Sequence, residues 1–382
     1  MNLDNVLSTS IIELLQQHIS LLGFTPLVHF ELEGCCRFPR HMTRPKINFS
    51  MINAKLKSLN IEGTLVPEYW LHQWEYVSDF SGQTPLKEAQ NLVLAIKRLP
   101  LWFAEQGVEE TLIKPVIWSG DQGKLARGSK NIFSHENRAV HIPNAVQINI
   151  SALDREGNNI ICDNSFGEYL QQCFIETSLA CCLIYMPEDD AFERLALKTK
   201  YGLDDELCSP TDISGGHQGS IALYKEFGKH NQPMGLEPVL LDQFQGALLN
   251  QQNWQKTARI EHRLGASSAA YDPYLNVIYA LANLVDALES YLQGSCQDML
   301  KVNQPIKRLP TQLKGCEDGT DALSLFKNDD WLTERINRSQ QFINQTTNES
   351  ITSLLATDLG GQLKRNVLAK FSHPKTINEP VL

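Results

Sequence analysis

The segment Arg259-Ile260-Glu261-His262-Arg263, followed by Asp272-Pro273-Tyr274-Leu275, constrains this chain more than any other stretch. Alternation with period two places Arg259, Glu261 and Arg263 on one face of a strand. Two guanidiniums flanking a carboxylate repel each other unless an anion or a metal–anion complex sits among them. The arrangement suits phosphate chemistry. Asp-Pro then ends the strand pattern and opens a long apolar helix over 274–293.

The chain has 382 residues, enough for one large domain or two ordinary ones, and its 42% hydrophobic content is that of a soluble globular protein. A net charge of −10, from 34 basic and 44 acidic side chains, argues against nucleic acid or an anionic membrane as partner. No apolar run is long enough to span a bilayer, and the acidic-polar start MNLDNVLSTSIIELLQQ does not read as a signal peptide. Nine cysteines, an odd count without CxxC spacing, read as reduced thiols in a cytoplasmic protein.

Periodicity predicts helices near 5–22, 49–59, 85–106, 167–185 and 193–198, and strands over 27–33, 63–66, 111–118 and 146–152. Residues 119–140 read as a polar, glycine-rich loop, 202–235 as loops around a short strand, and the tail beyond about 365 as loosely ordered. Strands are scattered among long helices without β-α-β alternation, which predicts an α+β fold with an antiparallel sheet.

Carboxylates cluster along these strands. Glu31 and Glu33 share a strand face, and Glu68 and Glu75 bracket Tyr69-Trp70-Leu71-His72-Gln73-Trp74. Carboxylates on one face repel unless protonated or bridged by a cation, and hard divalent ions take oxygen ligands. Taken singly, each pair reads as charge on a solvated face.

Together, the blocks resemble the glutamine synthetase superfamily. Phe30-Glu31-Leu32-Glu33 resembles its E-x-E strand, and Glu68 through Glu75 its E-x-x-x-x-Q-x-E element. Arg259–Arg263 with Pro273-Tyr274-Leu275 resembles the R-x-E-x-R … N-P-Y-L signature. Flanking stretches, such as Thr111-Leu112-Ile113-Lys114-Pro115 and Leu309-Pro310-Thr311, also match, so the resemblance covers about residues 24–340. It implies a curved antiparallel sheet packed by long helices, with a helical extension over 1–23, a catalytic domain over 24–345 and a carboxy-terminal helix and tail over 346–382. It implies ATP and Mg²⁺ or Mn²⁺. Glu33, Glu68 and Glu75 would hold the metal nearest the acceptor, and Glu31 and Glu261, with Gln147 in the third motif, the metal at the ATP phosphates. Arg263 would contact phosphate with Arg259 nearby, Asn149 and Ser151 would line the nucleotide, and Glu75 would be among the catalytic groups.

Four departures stand beside the matches. The family's H-x-H-x-S strand is here Gln147-Ile148-Asn149-Ile150-Ser151, which exchanges a metal-binding histidine for a weaker amide ligand. The N-G-S-G substrate loop is Ile142-Pro143-Asn144-Ala145, and proline lacks an amide hydrogen while alanine adds a Cβ. Residues 199–258 contain no arginine, so Lys225 is the nearest stand-in for a family arginine there, without its bidentate geometry. Only 30 residues precede Glu31, where the family carries a small β-rich domain that builds a ring; the expectation is a site more open than usual, with room for ammonia or a larger amine.

Two functions follow. The first is an ATP-dependent carboxylate–amine ligase acting on a glutamate-like acid. The alternative is a catalytically degenerate relative that binds a ligand or serves as a regulatory subunit. Small-molecule acid and amine are the expected partners, with a homo-oligomer or a full-length relative as possible associates. Trp70, Trp74 and Tyr69 read as core packing before ligand stacking. Lys124, Arg127 and Lys130 read as a solvated loop before a phosphate clamp, and His29, His72 and His141 as ordinary histidines before replacement ligands. Gly215-Gly216 reads as a turn, and Cys35 and Cys36 lack an activating base.

Overall fold

In the computed structural model, strand β1 (Thr25–Arg37) is the axis of the molecule. The structure describes residues 3–39, 41–42, 45–68, 70–79, 82–118, 141–199, 221–225, 254–301, 308–347 and 358–372. β1 runs antiparallel to β3 (Gln73–Ser78) on one side and β7 (Val146–Leu153) on the other. β2 (Gly63–Pro67) lies outside β3, β9 (Arg259–His262) and β8 (Ile221–Tyr224) lie outside β7, and β4 (Glu110–Leu112) pairs with the end of β1. The order is β2-β3-β1-β7-β9-β8, with every pair antiparallel. A separate two-stranded piece joins β5 (Val116–Trp118) to β6 (His141–Pro143).

Helices α1 (Leu3–Leu21), α2 (Phe49–Ser58) and α3 (Pro85–Ala104) alternate with the first strands. Then follow α4 (Phe166–Tyr185), α5 (Asp189–Thr199) and α6 (Pro273–Leu292). The chain closes with α7 (Ala322–Asn328), α8 (Trp331–Thr347) and α9 (Leu359–Ser372). The Asp-Pro signal works as its chemistry dictates. The Asp272 carboxylate accepts from the Tyr274 amide at 3.1 Å, and Pro273, which has no amide hydrogen to satisfy, takes the first helical position. α6 is largely apolar, and Val277 through Ala282 are fully buried between α1, α3, α4 and α8. α1 contributes Ile11, Ile12, Leu15 and Ile19 to that same core.

Differences from the sequence-based reading have local causes. The strand expected over 111–118 is two short strands, broken where Pro115 cannot donate to a ladder. The strand Gln73–Ser78, which periodicity left unassigned, pairs with β1 and β2 at once. The tail expected to be loose beyond 365 stays helical to Ser372, because Leu359, Leu363 and Val367 form a buried stripe. The loop read at 119–140, and the loop stretches 202–220 and 226–235, lie outside the described residues. Among the described residues, no helix is long and apolar enough to cross a membrane. The described cysteines are free thiols, and burial pushes those of Cys36, Cys173 and Cys181 up, away from the reactive thiolate.

Candidate functional site

Residues directly opposed on neighbouring strands share a sheet face. Glu33 opposes Glu75, Glu31 opposes Gln147, His29 opposes Asn149, Leu27 opposes Ser151, and Asn149 opposes Glu261. β8 adds Tyr224 opposite Arg259. The register therefore gathers the predicted groups Glu31, Glu33, Glu75, Gln147, Asn149, Ser151, Arg259 and Glu261 on one face. The alternate residues Phe30, Leu32, Ile148, Ile150 and Ile260 are buried in the core. His262, between the two arginine positions, is one of these alternates. It lies among Phe174, Tyr185 and Tyr279, where burial lowers its pKa to about 3 and keeps it neutral.

The centre of the face is a continuous hydrogen-bonded chain. The Asn149 amide donates to Glu31 Oε1 at 3.0 Å, and its Oδ1 accepts from Arg259 Nε at 2.7 Å. Arg259 Nη2 donates to Glu261 Oε2 at 3.1 Å, and Nη1 to the Thr257 carbonyl at 3.3 Å. Its guanidinium lies over the Tyr224 ring, 4.4 Å from the centroid. Arg263 Nε sits 3.4 Å from Glu261 Oε1. Desolvation, reinforced by the Glu261 charge, raises the Glu31 pKa to about 7 despite the opposing arginines. The buried Gln147 carbonyl oxygen accepts no hydrogen bond among the described residues.

At the Glu33 end the substituted loop takes part directly. Glu33 Oε2 accepts the Ala145 amide at 2.8 Å. Fully buried Asn144 is tied down on both sides, accepting from Gln73 Nε2 at 3.0 Å and donating to the Lys114 carbonyl at 3.0 Å. Arg194 of α5 braces the chain after β9 by donating to the carbonyls of Arg263 and Leu264, each at 3.3 Å. Tyr224, Asn144 and Arg194 were not singled out as site residues. Their contacts depend on register and loop path, and the only signal available was the polarity of the loop around Asn144.

Solved structures bear on this arrangement. A novel glutamine synthase homolog superposes with TM-score 0.52 at 15% identity, over 95% of this chain and 74% of that one. GmaS in complex with ADP gives 0.53 at 12%, over 97% and 75%. The glutamine synthetase of Plasmodium falciparum gives 0.57 at 12%, over 90% and 77%. This is the glutamine synthetase fold. No protein-family model and no curated protein sequence matches the chain.

Within the glutamine synthetase fold, the remaining expected groups are placed unevenly. Glu68 follows the end of β2, where its amide donates to the Gln73 carbonyl, with β3 between β2 and the strand that carries Glu33. Lys225 is not brought into the group: it follows Tyr224 on the alternate register and pairs with Glu168 of α4 at 3.1 Å. Trp74 is fully buried against Phe103, so the packing reading holds, and Trp70 packs beside Cys35, Leu112, Ile117 and Ile142. His29 lies 3.5 Å from Glu88, and His72 stacks obliquely on Phe38. Tyr69, Lys124, Arg127, Lys130 and Gly215-Gly216 lie outside the described residues, as does the side chain of His141. A cleft lined by Asn53, Lys57, Glu62 and Asp79 involves none of the gathered groups.

Glu33 and Glu75 supply hard oxygen donors at one end of the face. Glu33 stands directly opposite Glu75, and the charges of buried Arg194 and of Arg263 reach Glu33. Among the described residues, no three histidine, cysteine or acidic side chains converge as a complete cage. Mg²⁺ suits such a partial set, because it is commonly held by one or two carboxylates with waters and substrate phosphate oxygens.

Proposed function

We propose that this chain is an ATP- and divalent-cation-dependent carboxylate–amine ligase of the glutamine synthetase type, acting on a glutamate-like acid and ammonia or a larger amine. The observation that carries this reading is the register that sets Glu33 against Glu75 and aligns Glu31, Gln147, Asn149, Arg259 and Glu261 beside them. The ADP complex of GmaS, on the same fold, supports nucleotide as a ligand. Glu33 and Glu75, with Glu68 at the neighbouring strand end, would hold the cation. Once bound, that ion neutralises charge on the transferring phosphoryl group. Arg263, held by Glu261, adds fixed positive charge for the same group, and Ser151 lines the nucleotide side. Burial of the loop behind Asn144 fixes the Ala145 amide on Glu33 and so orients that carboxylate. The buried, unreactive thiols support a reducing, cytoplasmic setting.

The test is phosphate release from ATP and Mg²⁺ across a panel of acids paired with ammonia or primary amines. Release that requires both acid and amine, and that falls about a hundredfold or more in Glu75→Ala, is the expected result. A second reading, a ligand-binding or regulatory protein without turnover, draws on a specific observation: Arg259 spends Nε, Nη1 and Nη2 on its own neighbours. Nucleotide binding with no release under any pairing would decide for it.

A further inference from the structure

The charged face does not stay polar along its length. Two residues beyond Glu33, on the same side of β1, comes Cys35, which stands opposite Gln73 of β3 and Leu112 of β4. Ile117 and Ile142, opposed on β5 and β6, join Cys35 and Leu112 in a small apolar cluster apart from the main core. These four side chains are buried, whereas Trp70, packed against them, is only partly so. Trp70 stands in the loop that joins β2 to β3, between Glu68 and Glu75, which are also partly exposed. The loop is held at several points. The Glu68 amide donates to the Gln73 carbonyl at 3.1 Å, the Gln73 amide to the Trp70 carbonyl at 2.9 Å, and the Trp70 amide to Gln73 Oε1 at 3.0 Å. Gln73 Nε2 donates in turn to Asn144, the residue before the Ala145 amide that Glu33 accepts. The indole is thereby fixed relative to Glu33 and Glu75.

We propose that Trp70 is a platform for an apolar group on the acceptor substrate, so that this site takes an acid or an amine carrying an alkyl or aryl substituent. The inference rests on the ligase reading above and narrows its substrate class. Packing accounts for the part of the indole that meets Cys35 and its neighbours. The part left to solvent belongs to a loop flanked by Glu68 and Glu75, groups which that reading assigns to the acceptor end. A large aromatic surface, already held in place, gives a ligand dispersion contact and removal of apolar area from water at little ordering cost to the protein. Adenine is not the group it would serve. Leu27, opposite Ser151 on the nucleotide side, and Glu33 lie at opposite ends of β1's share of the face, roughly 20 Å apart at the rise of a strand. Ammonia has no carbon to place on the indole, so the smallest acid and amine pair leaves this surface unused.

The test is phosphate release from ATP and Mg²⁺ by the full chain over two graded series. One pairs glutamate with ammonia, methylamine, butylamine and benzylamine. The other pairs ammonia with glutamate and its methyl- and phenyl-substituted analogues. In one series kcat/KM should rise about tenfold or more towards the largest member, and which series rises tells whether amine or acid carries the group. Trp70→Ala should level that rise, through KM more than kcat, and Trp70→Phe, which keeps an aromatic face, should retain most of it. Circular dichroism checks folding, and Trp70→Gln, which keeps bulk in the loop without an apolar face, serves if Trp70→Ala does not fold. Two level series on the wild type, or a rise that persists in Trp70→Ala, would overturn the platform and leave the ligase reading standing. If no pair releases phosphate, the ligase reading fails, and isothermal titration decides the platform alone. Saturable binding of benzylamine or phenyl-substituted glutamate that Trp70→Ala loses would support it, and the absence of such binding would overturn it.

Discussion

Asn149 shows how one substitution recasts a site. Where the resembled motif has a histidine, the shorter amide reaches Glu31 and Arg259 simultaneously and is fully enclosed by them. Glu31 is the residue through which pH should report on this network. Its carboxyl is raised from 4.5 to about 7, so between those values the folded protein holds a proton that the unfolded chain releases. Stability contributed by this group is therefore complete at low pH and falls as pH rises through that window. Glu31→Gln has no such proton to lose. Thermal midpoints in metal-free buffer should diverge from about pH 5 to about pH 8, with the variant increasingly the more stable. Parallel curves would show that the Glu31 carboxyl titrates normally.

At the scale of elements, β1 decides the outcome, because it pairs with three strands, β3, β4 and β7. Its alternation was visible as Leu27-Val28-His29-Phe30-Glu31-Leu32-Glu33, and Glu31 and Glu33 do share a face. What alternation could not convey was which residues stand opposite, since register is set by the partner strand and its turns. The strand holding Glu75 was missed for a related reason. Gln73 through Ser78 mixes aromatic and polar residues and is preceded by His72 with φ of +65°, a turn conformation that periodicity does not register. The junction after β9 gives a test of the element. A Cβ at Gly265 would fall inside contact distance of the Val146 carbonyl oxygen, which is rigid backbone. Gly265→Ala should destabilise by roughly 1–3 kcal/mol or more in urea unfolding, and should weaken cation binding by shifting the Ala145 amide on Glu33. Unchanged stability would mean that the β7–β9 junction yields without cost.

At the scale of the whole molecule, α1 belongs to the core that supports the sheet. Leu15 is fully buried, and α1 packs on α6, α8, α3 and β1. His18 of the same helix is stacked on Phe342, hydrogen-bonded to Ser339 and depressed to about 4, mainly by burial. Leu15→Ala should cost about 2–5 kcal/mol, and far- and near-ultraviolet dichroism should lose their signals in one shared transition. A local loss of helix with the rest of the transition unmoved would instead make residues 1–23 a separable extension. The sequence by itself determined the class of fold, the carboxylate and arginine groups that share a strand face, and the long apolar helix behind them. Those follow from periodicity and local capping, which act between residues a few positions apart. The tertiary structure alone decided that Lys225 turns to Glu168, that Tyr224 underlies Arg259 and that Asn149 joins Glu31 to Arg259. Such contacts link residues up to 118 positions apart, so they depend on register and loop path rather than on any local preference.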